Sequence, residues 1–168
     1  AKCGLPASSI YWHFKDKADL FNAMMERVTL PMEDALLGKP PTATDPLAHM
    51  RGAMLNALNL IAHDTRTRRV FEVITHKVEY VSELSAVRER HLAVRGECLQ
   101  RMADDLRAAA RLRGQRLPLT AATAAQGLHA MIDGLIQNWL LDPDAFDLVA
   151  TGRRALDTYA AGLGLGPA

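Results

Sequence analysis

A chain of 168 residues suffices for one domain with a real core, or for such a domain carrying part of a smaller head. Hydrophobic residues make up 49% and charged residues 23%, which excludes a disordered chain, and a net charge of +1 excludes a polycationic tail. Two cysteines, Cys3 and Cys98, are too few for a disulfide framework and fit a reducing, cytoplasmic setting. Aromatics are only 5%, so Ala, Leu and Met carry most of the apolar content, and these are helix formers. No charged-then-apolar leader opens the chain. The longest apolar run, Leu128 to Leu141, is broken by Asp133, Gln137 and Asn138 and is too short to span a bilayer. The expectation is a soluble, cytoplasmic protein without membrane contact.

Taken in order, the first element is a short helix after Pro6, which is tolerated in a first helical turn. Ile10 and Phe14 share one face of it, four residues apart. The opposite face holds Ser8, Ser9, Trp12 and His13, flanked by Tyr11 and Lys15. Hydroxyls and Tyr suit phosphate oxygens, His and Lys supply charge, and ring edges suit thymine methyls, so this surface fits a DNA groove. A Ser-rich turn before an aromatic helix is, on its own, more often just a packed helix end. Asp16 can cap the next helix with Asp19 at its third position, and Lys17 then stands beside free backbone N–H groups, a place for a phosphate. That helix runs from Lys17 to Gly38 with a kink at Pro31.

Gly and Pro clusters at Gly38-Lys39-Pro40-Pro41, Arg113-Gly114 to Pro118 and Asp142-Pro143-Asp144 separate the remaining helices. Leu47, Met50, Met54, Leu58 and Ile61 form one stripe; Val70, Ile74 and Val78 form another, in a helix starting near Thr65. From Ser82 to Arg113 the buried face reads Leu84, Val87, His91, Val94, Cys98, Met102 and Leu106. The last two helices carry Leu128, Met131 or Ile132, Leu135, Ile136 and Trp139, then Leu148, Leu156, Tyr159 and Leu163. No segment alternates at period two, so the fold class is all-α. The apolar surface of the last two helices is wide enough for two contacts, which points to a homodimer through a four-helix interface containing Leu128, Leu135, Trp139, Leu156 and Tyr159. The alternative is that both faces are buried inside one protomer.

The order of residues in "GLPASSIYWHFKDKADLF" resembles the turn, recognition helix and start of the fourth helix of TetR-family repressors, and "IYWHFKDK" is its most specific part. "LPMEDAL", "VFEVITHKVEY" and "MIDGLIQNWLL" are similar to the regulatory domain of the AcrR-like branch, which controls multidrug efflux pumps. The resemblance implies residues 1–37 as the C-terminal part of a helix-turn-helix head plus linking helix, and 45–168 as a ligand-binding and dimerisation domain. It also implies two helices ahead of this point, of which Ala1-Lys2-Cys3-Gly4 would be the end, and which a double-stranded DNA operator would need for tight binding. On matching positions Pro6, Ala7, Ser8, Ser9, Tyr11 and His13 contact DNA and Lys17 holds a phosphate. Where many relatives have Thr and a long polar residue, this chain has Pro6 and Ala7, so much of the base discrimination would come from Ser8, Ser9 or the helices ahead of this point.

The resemblance further places an inducer chamber among the middle helices, and the residues support one. Met50, Met54, Phe71, Ile74, Cys98, Met102 and Ile132 give a soft apolar lining, although a methionine-rich stripe is more commonly plain core. Asp133, inside an apolar helix, needs either a cation within the fold or a cavity, and the family resemblance favours the cavity. His129 and Thr75 would join it, while Phe71 and Thr75 replace the Asn and His of close relatives. The implied ligand is a small lipophilic compound, aromatic or cationic. The implied mechanism is a dimer on a palindromic operator, released when ligand favours a spread conformation.

Neither enzyme chemistry nor a cofactor is expected. His13, His49, His63, His76, His91 and His129 show no metal-ligand spacing, and no phosphate-cradling loop or nucleophile elbow occurs. The competing reading is a dimeric small-molecule-binding or protein-interaction module that does not bind DNA.

Overall fold

The computed structural model describes residues 45–76 and 85–166, together with Lys15, Asp19, Leu20, Asn22, Ala23 and Glu26. Five helices and no strand occur among the described residues: α1 (Pro46–His63), α2 (Thr65–His76), α3 (Ser85–Leu112), α4 (Ala121–Leu141) and α5 (Leu148–Gly162). Asp19, Leu20, Asn22, Ala23 and Glu26 are also helical. The all-α expectation holds.

Each helix begins and ends for a local reason. Asp45 caps α1 by accepting from the Leu47 N–H at 3.1 Å, with Pro46 in the first turn where no hydrogen bond is lost. Asp64 ends α1 and starts α2, accepting from the Thr67 N–H at 3.0 Å and the Thr67 hydroxyl at 2.6 Å. Those bonds hold its carboxyl below the usual carboxylate range. Thr120 and Asp147 cap α4 and α5 by accepting from Thr123 and Ala150 N–H groups. Helices α3 and α5 end in left-handed glycines, Gly114 (φ 63°) and Gly164 (φ 75°). The following N–H groups turn back onto Ala110 and Ala160 carbonyls at 2.9 and 2.8 Å, the Schellman closure.

Packing follows the apolar stripes. Met50 and Met54 of α1, Met102 and Leu106 of α3, Leu128 of α4 and Leu156 of α5 meet in one cluster. Ala103, Ala109 and Ala110 on α3 and Ala121, Ala124 and Ala125 on α4 are buried in that same cluster, so the two helices meet through methyl groups. A second cluster joins Leu58 and Ile61 of α1 with Ile136, Trp139 and Leu140 of α4 and Leu148 of α5. Burying each such leucine or isoleucine contributes about 1.5–3 kcal/mol, offset by the entropy of ordering the chain.

One position on the long helix departs from expectation. Met102 and Leu106 are buried and Val94 and Cys98 are half-buried, but His91 is exposed. Among the described residues of the stripe the buried ones, Met102 and Leu106, lie in the second half of α3, while Leu84 and the Val87 side chain lie outside the described residues.

Candidate ligand chamber and its polar edge

Of the residues expected to hold ligand, Met50, Met54 and Met102 are buried where α1 meets α3. Ile132 packs against both clusters, and Phe71 packs against the second. Thr75, Cys98 and His129 are half-buried, and Asp133 is exposed. Ile74 lies in α2, with its side chain outside the described residues. Asp133 therefore stands in contact with water rather than sealed in apolar surroundings, which removes the large desolvation cost its sequence context implies.

The polar residues gather where α3 passes α4. His129 and Asp133 stand one turn apart on α4, and His91 and Arg95 one turn apart on α3. Arg95 Nη2 donates to Gln126 Oε1 at 3.3 Å. Burial pushes the His129 imidazole below its ordinary value; the Asp133 carboxylate opposes this, and Arg95 and His91 add to it. At neutral pH His129 is thus an uncharged ring with one donor and one acceptor nitrogen. His91, Arg95 and Gln126 were not among the expected ligand residues. Their signal was the four-residue spacing of His91 and Arg95 on one helix face.

A second polar set centres on Asp105, three residues beyond Met102 on α3. Asp105 is 6% exposed and faces Arg101 at 3.3 Å and His49 Nδ1 at 4.0 Å. Burial raises the Asp105 carboxyl above its usual range, against the pull of Arg101 and His49. The His49 Nδ1 atom is buried without a hydrogen-bond partner. A cavity of about 20 Å³ lies between α1, α3, α4 and α5, bounded by Leu47, Met50, Leu106, Leu156 and Tyr159 among others. It has room for about one water and shares only Met50 with the expected chamber.

The residues expected at a dimer interface are largely engaged within the protomer. Leu128, Trp139 and Leu156 are 2%, 5% and 4% exposed, so they are core residues with little surface left for a partner. The Arg68 guanidinium lies 4.7 Å from the Trp139 ring centroid and donates to the Ile61 and Ala62 carbonyls at the end of α1. Leu135 packs against the second cluster. Tyr159 is half-buried, and its hydroxyl donates to the Ala124 carbonyl at 2.9 Å. A Cβ at Gly127 would sit 2.5 Å from that hydroxyl oxygen, so the glycine makes this approach of α5 to α4 feasible. The apolar width of α4 is accounted for by two clusters in one protomer, and its outward strip is a different set: Ala130, Gly134, Gln137 and Leu141.

Pro6, Ala7, Ser8, Ser9, Tyr11, His13 and Lys17 lie outside the described residues. Asp19 accepts from the Lys15 N–H at 3.1 Å. Among the described residues no group of three His, Cys, Asp or Glu side chains could hold a metal, and no helix is long and apolar enough to cross a membrane.

Comparison with known proteins fits this geometry. Residues 45–164 match the family described as the C-terminal region of MAATS-type transcriptional repressors of the TetR class. The chain is 35% identical over 168 residues to the transcriptional regulator TtgR of Pseudomonas putida, covering 98% of this chain and 79% of TtgR. It is 33% identical over 161 residues to the repressor BepR of Brucella suis, covering 95% and 77%. Among solved structures, the complex of SmeT with triclosan superposes with a TM-score of 0.76 at 31% identity, covering 92% of this chain and 74% of SmeT. SmeT is the repressor of the Stenotrophomonas maltophilia multidrug efflux pump SmeDEF. NalD, the secondary repressor of the MexAB-OprM multidrug efflux pump of Pseudomonas aeruginosa, superposes with a TM-score of 0.75 at 32% identity, covering 93% and 79%. These relatives are regulators rather than enzymes, and the chain belongs to the TetR family of transcriptional repressors.

Proposed function

We propose that this repressor acts as a homodimer on a palindromic operator, and that a small lipophilic compound, aromatic or cationic, releases it to switch on a multidrug efflux pump. The observation that carries the ligand half of this reading is the juxtaposition on α3 and α4. A methionine- and isoleucine-rich interior, with Met54, Met102 and Ile132, belongs to the same two helices and α1 as the half-buried His129 and the exposed Asp133. Such an edge offers an apolar body somewhere to bury and a polar or charged end something to bond. Methionine side chains adapt to ligands of different shape. The DNA half rests on the residues Pro6, Ala7, Ser8, Ser9, Tyr11, His13 and Lys17 and on family membership. Residues 1–37 act as part of the head and linking helix, and 45–168 as the sensor.

Release then works by population. A ligand that fits the spread arrangement of the two heads better than the operator-bound one draws the dimer away from DNA. Shifting the balance from nearly all bound to nearly all free needs a differential affinity of about 5.5 kcal/mol at the extreme, and less for partial release.

The deciding experiment is fluorescence anisotropy of the intact repressor on its own upstream DNA at two salt concentrations, with ethidium and triclosan as probes. Tight, salt-sensitive binding that either probe releases is the expected result. Asp133→Asn should then weaken ethidium by about two- to five-fold while changing triclosan by less, because only the cation loses its counter-charge. Uptake of either probe without operator binding would leave a sensor module and remove the repressor mechanism. Equal ethidium affinity in Asp133→Asn would remove the carboxylate as anchor.

A further inference from the structure

The ion pair between Arg90 and Glu26 joins parts of the chain that nothing described above connects. Glu26 lies on the helical stretch that follows the recognition-like segment, and Arg90 lies near the start of α3. Arg90 Nη1 donates to Glu26 Oε1 at 2.6 Å, and the two side chains are 32% and 51% exposed. The position of Arg90 on α3 gives this contact its leverage. The second half of α3 is clamped, with Met102, Ala103, Leu106 and Ala109 at 2% exposure or less. The region around Arg90 is not, since Arg88, Glu89, His91, Leu92, Gly96 and Glu97 are all exposed.

Among the described residues two side-chain bonds tie this stretch to its neighbours: Arg90 to Glu26, and Arg95 to Gln126 of α4. Five residues advance an α-helix by about 7.5 Å and about 140° of rotation. Arg90 and Arg95 therefore project to different sides of one rigid rod and reach two different neighbours. The Arg95 side also carries His91, and both are close enough to act on the charge of His129, the residue at the polar edge of the candidate chamber.

We propose that the Arg90–Glu26 pair is the joint through which the start of α3, gripped on its other side at the His129 edge, positions the helix that leads to the DNA-binding head. The inference rests on the repressor reading above and adds a residue pair to it. Arg90 and Glu26 are positioning residues. They touch neither DNA nor ligand in this assignment, and they transmit displacement because the helix between the two grips is stiff.

The test uses the intact repressor with its whole DNA-binding head. Hydrogen–deuterium exchange of peptides spanning residues 19–26 is compared in wild type, Arg90→Gln and the exchanged pair R90E/E26R. Arg90→Gln should speed exchange there by about two- to five-fold, the range open to a solvent-exposed ion pair, and the exchanged pair should restore it. Operator affinity should fall by a similar factor in Arg90→Gln and recover in the exchanged pair. Ethidium binding, read by its own fluorescence, should stay as in wild type. Unchanged exchange in Arg90→Gln, or no recovery in the exchanged pair, overturns the joint. If wild-type protein failed to bind operator, the proposed function would fall while the exchange comparison still decided the joint.

Discussion

Asp45 carries two loads on one carboxylate. It caps α1 through the Leu47 N–H, and its two oxygens take Arg113 Nη1 at 3.1 Å and Nη2 at 2.5 Å, tying the start of α1 to the end of α3. The hydrogen bond from Arg113 holds the Asp45 carboxyl below its usual range, more than burial raises it. A depressed folded-state value means a stabilisation present at neutral pH. It is lost as pH falls below about 3.9, where the unfolded carboxylate protonates, and on through the lower folded-state value. Asp45→Asn keeps a capping oxygen and removes the charge. It should cost about 0–1 kcal/mol at pH 7, given the solvent around the pair, and the gap should close in acid. Asp45→Ala removes the cap as well and should cost about 1 kcal/mol more at either pH. Urea denaturation of both variants at pH 7 and pH 3 separates the two loads; a cost for Asp45→Asn that is equal at both would contradict the ion-pair assignment. At this scale the sequence was only partly legible. Asp133 stands out because its sequence neighbours are apolar, yet it reaches water, whereas among the described residues the buried acid is Asp105, beside the acidic Asp104 in sequence. Burial of one side chain depends on which helix crosses above it, and sequence spacing does not carry that.

Helices were far more readable. Thr65 as the start of α2, the stop of α3 ahead of Gly114 and the stop of α4 ahead of Asp142-Pro143 follow from local chemistry: capping carboxylates, a left-handed glycine and a proline that cannot continue a helix. Of the stripe Leu47, Met50, Met54, Leu58 and Ile61, the last four are buried as their spacing requires and Leu47 is half-buried. What spacing cannot convey is how closely two helices approach. Gly152 on α5 is buried, and a Cβ there would collide with Leu58 Cδ1 of α1. Leu58 is fully enclosed, so its methyl has nowhere easy to move. Gly152→Ala should therefore destabilise the protein by about 1–3 kcal/mol despite the better helix propensity of alanine. Thermal or urea denaturation measures this directly. A stabilised Gly152→Ala protein would mean that α1 and α5 can separate at little cost.

For the whole molecule the proposed homodimer turns on one surface, the one that would meet a second copy. The wide apolar band on α4 was read from sequence as serving core and partner together, and for Leu128 and Trp139 the two clusters of a single protomer absorb it. Removing those residues leaves a narrower strip on α4, Ala130, Gly134, Gln137 and Leu141, spaced four, three and four. Leu141 is 70% exposed. On the neighbouring α5, Arg154, Thr158 and Ala161 face outward with the same spacing. Two adjacent helices whose outer strips include the short residues Ala130, Gly134, Thr158 and Ala161 suit a two-fold pairing into four helices, since short side chains let the axes approach. Gly134 tests this because nothing lies within 4 Å of a Cβ built there, so the protomer itself has room for a side chain. Gly134→Arg should leave helix content and protomer folding intact, yet weaken the dimer by about ten-fold or more, since a buried guanidinium without a partner is costly. Sedimentation velocity across a dilution series reads that constant. Operator binding should weaken with it and become more dependent on protein concentration, because each half-site is then taken by a separate protomer. A Gly134→Arg protein that dimerised as tightly as wild type would move the partner face off this strip, and the geometry of the two DNA-reading heads with it.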